Sequence, residues 1–196
     1  MILFCFSMPL FLMAQETNKQ KEIGLVFNNL DNFGLTFKIG SDKSLWRFNT
    51  LFVNGNNMDQ TQDSSVSKNN NMEFGFKLGK EYRKPIVKNL ELRYGADLSF
   101  KYSYSKSDYN DKTVDNDDRL NKRITYEPGI NLVLGLNYVV NDHFVIGAEL
   151  LPNFSYVTGT SKNYYNNNGN ETKTDISGFL YDLSNSWVKL SLSYRF

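Results

Sequence analysis

Residues 90–104, LELRYGADLSFKYSY, alternate without interruption. Leu90, Leu92, Tyr94, Ala96, Leu98, Phe100, Tyr102 and Tyr104 hold one parity, and Glu91, Arg93, Gly95, Asp97, Ser99, Lys101 and Ser103 hold the other. A period of two belongs to an extended strand whose two faces meet different surroundings. The run is long for a soluble sheet, where about 5 or 6 residues is usual. It suits a tilted strand that crosses a lipid layer and runs on past it.

The same pattern recurs on both sides of this stretch. Phe33, Leu35, Phe37 and Ile39 alternate with Gly34, Thr36, Lys38 and Gly40, and Met72, Phe74, Phe76 and Leu78 alternate with Glu73, Gly75, Lys77 and Gly79. Read outward from residue 90, the chain predicts eight strands, over 22–29, 32–40, 44–54, 71–80, 89–104, 123–140, 143–158 and 178–196. Their connections differ in character. Long polar loops are expected over 55–70, 105–122 and 159–177, while tight turns are expected at 40–43 and 140–142 and a longer basic one through Lys84 and Pro85. An even strand number with long and short connections at opposite ends predicts an all-β, eight-stranded antiparallel transmembrane barrel, its termini and tight turns in the periplasm.

Volume and charge decide which face meets lipid. An eight-stranded barrel has an interior just wide enough for side chains, so the many Phe, Tyr and Leu residues of the apolar parity must point out. That phase sends Gly24, Gly34, Gly75, Gly79, Gly95, Gly129, Gly135 and Gly147 inward, where they make room for long neighbours. It also sends in Glu73, Lys77, Glu91, Arg93, Asp97, Lys101, Glu149, Lys189 and Arg195, which form the expected lumen charge network. A Lys or Arg facing the bilayer midplane would cost about 2 to 4 kcal/mol, so the inward placement is favoured. The phase of the third strand stays open, because Leu45, Leu51 and Val53 compete with Trp46, Phe48 and Phe52. Aromatic residues gather toward strand ends, with Trp46, Phe48, Tyr138, Phe144, Tyr194 and Phe196 at one interface and Tyr102, Tyr104, Tyr126 and Tyr156 at the other. Rings with an apolar body and a polar tip favour that depth.

Composition agrees with one domain. The 196 residues are 40% hydrophobic and 15% aromatic, and a formal net charge of +1 provides no single-sign field to draw nucleic acid. Residues 1–14, MILFCFSMPLFLMA, are almost wholly apolar and give way to QETNKQKE, as a secretory signal peptide does. The run is too short for a spanning helix, which needs at least about 17 residues. A signal peptide over 1–14 and a barrel domain over 15–196 are therefore expected. The one cysteine, Cys5, falls in that leader, so neither disulfides nor thiolate chemistry are expected of the mature protein.

The segment KLSLSYRF, residues 189–196, resembles the assembly signal on the final strand of outer-membrane barrels. Lys189, Tyr194 and Phe196 carry the likeness, while Ser191 stands where that pattern usually has Gly. Across nearly all its mature length the chain resembles the small eight-stranded barrels of the OmpA and OmpX type. The resemblance implies residence in the bacterial outer membrane, contact with its lipid, and the barrel assembly machinery as a partner.

No functional motif accompanies that architecture. The first expectation is a non-enzymatic, structural or surface-recognition role through the long loops, with a ligand or partner that the sequence does not name. A lipid-modifying enzyme is the alternative, but the sole histidine, His143, follows the tight turn at Asn141 and Asp142 and has no serine at nucleophile spacing. A narrow porin-like channel is the third reading, opposed by the filled interior of eight-stranded barrels. Asp115, Asn116, Asp117 and Asp118 lack an ordered Ca²⁺ ligand pattern, so neither a metal nor a cofactor is expected.

Overall fold

Alternating faces become ladders in the computed structural model, which describes residues 19–29, 32–62, 65–111, 117–165, 170–182 and 188–196. The expected leader lies outside these residues. Among the described residues ten strands follow one another: β1 (Gln20–Asn29), β2 (Asn32–Gly40), β3 (Ser44–Gln62), β4 (Ser65–Val87), β5 (Leu90–Asp111), β6 (Asp117–Asn141), β7 (Phe144–Leu150), β8 (Asn153–Tyr165), β9 (Asn170–Asp182) and β10 (Lys189–Arg195). Eight of them close a ring in the order β1-β2-β3-β4-β5-β6-β7-β10, every pair antiparallel. The seam runs from Glu22↔Arg195 to Phe27↔Leu190. Lys21 and Phe196 extend it by exchanging two backbone hydrogen bonds of 2.9 Å.

The other two strands extend the ring upward. β6 pairs with β7 through Leu134–Asn141 and with β8 through Arg119–Asn131, so one long strand supports two shorter ones end to end. The sequence reading expected a single strand over 143–158, and Leu151–Pro152 interrupts it. Proline has no N–H to give a ladder. Its carbonyl still accepts the Leu132 N–H at 2.9 Å, which lets β8 resume beside β6. The expected strand over 178–196 is likewise divided into β9 and β10.

The expected loops are corrected more thoroughly. The β3–β4 ladder continues to Gln62↔Ser65, β5–β6 to Asp111↔Asp117, and β8–β9 to Tyr165↔Asn170. Past the lipid both faces of a strand are wet, so hydrophobic alternation lapses although the backbone goes on pairing. These segments are rich in Asn, Asp, Ser and Lys, whose low strand propensity concealed them. The result is a barrel with one tall wall, β3 to β6 with β8 and β9, and one low wall, β1 and β2, which turns back between Asn29 and Asn32.

The basic turn expected through Lys84 and Pro85 is also corrected. Both residues belong to β4, paired with Leu92 and Glu91, and the chain reverses at Lys88–Asn89. Asn89 takes the left-handed conformation, φ 66°, which asparagine tolerates better than most residues. A bulge between Pro85 and Val87 adjusts the register just before it.

The two parities face as expected. Leu98 is 63% exposed on the outer face, whereas its neighbour Asp97 is 1% exposed in the lumen. In β3, Leu45 is buried inward while Trp46 and Phe48 lie outside. A bulge between Thr50 and Phe52 then shifts the register. That shift explains why no single parity could be read through this segment; the side chains of 51–54 lie outside the described residues.

Candidate functional site

The lumen holds a stack of charged side chains that begins at the end where β1 starts and β10 finishes. In the lowest layer, Arg83 grips Glu22 with two nitrogens at 2.7 and 2.6 Å, and Arg195 reaches Glu22 at 2.8 Å and Glu91 at 3.2 Å. Above it, Glu81 receives Lys38 at 2.9 Å, Arg47 at 3.0 Å and Arg83 at 2.7 Å. Arg47 is the hub of the next layer. Its guanidinium meets Glu81, Asp97 at 3.2 Å and Glu149 at 3.1 Å, and Arg93 meets Glu149 at 3.2 Å from the other side.

Among the described residues, five cations (Lys38, Arg47, Arg83, Arg93, Arg195) thus interlock with five carboxylates (Glu22, Glu81, Glu91, Asp97, Glu149). A planar, permanently charged guanidinium can serve several carboxylates at once, which is why arginines carry most of this plug. Glycines provide the space. A side-chain carbon at Gly135 would come within 2.9 Å of Arg93 Nε, and one at Gly147 within 3.0 Å of Arg93 Nη1.

Two lysines stand on top of this balanced set. Lys77, 7% exposed, and Lys189 line one small cleft with Asn49, Thr50 and Glu149. Neither makes an ion pair with a described carboxylate. Higher still, Lys101 pairs with Glu127 at 2.7 Å, and Glu73 accepts a hydrogen bond from Ser103 at 3.3 Å.

Of the residues expected in the lumen network, the structure joins Glu91, Arg93, Asp97, Glu149 and Arg195 within the plug, places Lys77 and Lys189 at its rim, and sets Glu73 and Lys101 above it. Five central members escaped the sequence reading. Arg47 lay in the strand whose phase was open, Glu81 and Arg83 lay where a turn was expected, and Glu22 and Lys38 had the right parity without being drawn in. Simple continuation of the alternation past Gly79 would have recovered Glu81 and Arg83.

The remaining expected residues are placed as follows. Lys189 points into the barrel, and Tyr194 and Phe196 point out, their ring centroids 6.3 Å apart. His143 stacks on Tyr194 at 5.3 Å, and its Nδ1 lies 3.0 Å from the Arg195 carbonyl, so the histidine fastens the β6–β7 turn to the end of β10. Asp115 and Asn116 lie outside the described residues, as do the side chains of Asp117 and Asp118.

The outer surface completes the site's setting. Tyr82 stacks on Tyr94 at 5.7 Å, and Tyr102 meets Tyr126 at 5.5 Å, with Phe76, Leu78, Leu98, Phe100, Ile130 and Leu132 between these levels. A closed antiparallel ring, apolar and aromatic outside and ionic inside, defines a β-barrel of the bacterial outer membrane. The chain belongs to the putative OmpA-OmpF-like porin family, whose model matches residues 55–190.

Among solved structures, the chain is similar to a major outer membrane protein from Thermus thermophilus, with 10% identity, 91% of this chain and 99% of that one covered, and a TM-score of 0.47. It is similar to Ail, the attachment invasion locus protein of Yersinia pestis, with 11% identity, coverage of 91% and 95%, and a TM-score of 0.36. It is also similar to CarO of Acinetobacter baumannii, with 11% identity, coverage of 90% and 96%, and a TM-score of 0.33. No curated protein matches the chain in sequence.

Proposed function

We propose that this protein is a non-enzymatic surface scaffold, with the tight turns in the periplasm and the tall wall outside the cell. The observation that carries the reading is the plug. Arg47 alone spans the lumen to reach Glu81, Asp97 and Glu149 on three other strands, which leaves the interior acting as a strut. A conducting path would require these pairs to separate, and a stranded buried charge is costly. Function then belongs to the exposed ribbon, whose hydrogen-bonded strands present polar side chains on a rigid frame.

Family membership raises a pore as the second reading, and planar-bilayer recording separates the two. The scaffold reading expects no steady conductance from the purified, refolded chain. A stable ohmic conductance would favour the pore instead. Recognition is tested on intact cells by cross-linking and pull-down, comparing the parent with a variant whose β3–β4, β5–β6 and β8–β9 ribbons are cut back to short turns. Loss of a captured partner supports recognition. Altered lipid A on expression of the parent would revive the enzyme.

A further inference from the structure

The register of the tall wall draws one line of lysines across the outer face. Lys106 of β5 lies opposite Lys122 of β6, Lys122 opposite Lys162 of β8, and Lys162 opposite Lys173 of β9. These positions share the parity of the lipid-facing residues. One step nearer the barrel on the same face stand Tyr104, Ile124 and Thr160, and one step further down Tyr102, Tyr126 and Thr158.

Depth fixes what the line meets. The ten residue steps from Tyr94 to Tyr104 rise about 25 Å at about 3.3 Å per step and about 40° of tilt, the height of an outer-membrane apolar band. The lysines sit about 5 Å beyond it by the same geometry, where headgroups begin. The four ammonium groups extend over about 14 Å at a strand spacing of about 4.8 Å. That width suits one phosphorylated disaccharide headgroup.

Charge makes the line unusual. Like charges directly opposite one another destabilise a sheet, and here four stand in succession. Asp108 lies 3.7 Å from Lys106, Glu171 2.6 Å from Lys162, and Asp175 3.4 Å from Lys173, while Lys122 has its ammonium 5.7 Å from the Tyr104 ring. Lys68 lies across from Asp108 in the next row and has Asp59 opposite it on β3, so the described rows hold five lysines and four carboxylates. Those pairs are solvent-exposed and weakly held, so they yield to a stronger anion.

We propose that Lys106, Lys122, Lys162 and Lys173 form a binding strip for the phosphate groups of the outer-leaflet glycolipid. The strip rests on the reading of the tall wall as extracellular. Its test is therefore made where sidedness plays no part. The full refolded chain is embedded in phosphatidylcholine nanodiscs, and binding of fluorescent bis-phosphorylated lipid A is compared with that of its dephosphorylated form.

The parent should bind the phosphorylated form at least tenfold more tightly, and salt should weaken that preference. Replacing all four lysines with Gln should abolish it, whereas K21Q/K84Q, at the other end of the barrel, should leave it unchanged. Unaltered gel mobility of the unboiled variants checks that they fold, and K122E alone should lower the preference if the quadruple variant does not fold. Equal binding of both lipid forms by the parent, or equal binding by parent and quadruple variant, would overturn the strip. Protease mapping on intact cells tests sidedness separately.

Discussion

Arg47 and Lys77 show how differently two buried cations can stand in one lumen. Arg47 is the only described cation in ion-pair contact with Asp97, and it also touches Glu81 and Glu149. R47M should therefore lower stability by about 3 to 5 kcal/mol, because breaking a buried network strands a charge. Adding D97N should recover part of the loss, which a double-mutant cycle would measure. Lys77 has no carboxylate in ion-pair reach among the described residues, so K77M should leave stability unchanged or raise it. Urea unfolding of the refolded variants, followed by tryptophan fluorescence, reads all of these. A K77M loss as large as that of R47M would mean that the rim lysine belongs to the plug.

At the scale of the element, β5 carries both environments in one strand. Leu98 lies between Leu78 and Ile130 on the lipid face, while Asp108, five steps further along the same face, stands beyond the apolar band. L98R should cost about 2 to 4 kcal/mol in a bilayer. D108R should cost far less, since its side chain already meets water. Unfolding in lipid vesicles distinguishes them, and similar costs would mean that the apolar band has been placed at the wrong height.

The same strand marks what was legible in the sequence. Where one face meets lipid and the other a charged lumen, as from Leu90 to Tyr104, period and parity both show in the residues. Beyond Ser105 both faces are solvated, so the strand continues with no period to reveal it. β3 was obscured for another reason, since a bulge at Thr50 to Phe52 breaks the parity on which the reading depended. The charged plug was half legible because its members come from seven strands, and which acid meets which arginine is a matter of ring geometry rather than spacing.

For the whole molecule, closure of the ring is the property that every other one assumes, and it depends on β1 meeting β10. Gly24 lies at this seam opposite Ser193. A side-chain carbon there would press on the Leu192 carbonyl and come within 2.7 Å of the Ser193 Cα, both backbone groups of the partner strand. Such atoms cannot swing aside, so G24V should force the two strands apart. Gly55 provides the contrast, because a carbon added there finds nothing nearer than the Asn71 carbonyl at 3.9 Å. A closed, hydrogen-bonded barrel resists detergent until heated, so the unboiled parent should migrate differently from the boiled one. G55V should keep that difference, and G24V should lose it or need a lower temperature to do so. A fully heat-modifiable G24V protein would show that the seam tolerates the added bulk and that closure is secured elsewhere, by the exchange between Lys21 and Phe196 and by the ion pair from Arg195 to Glu22.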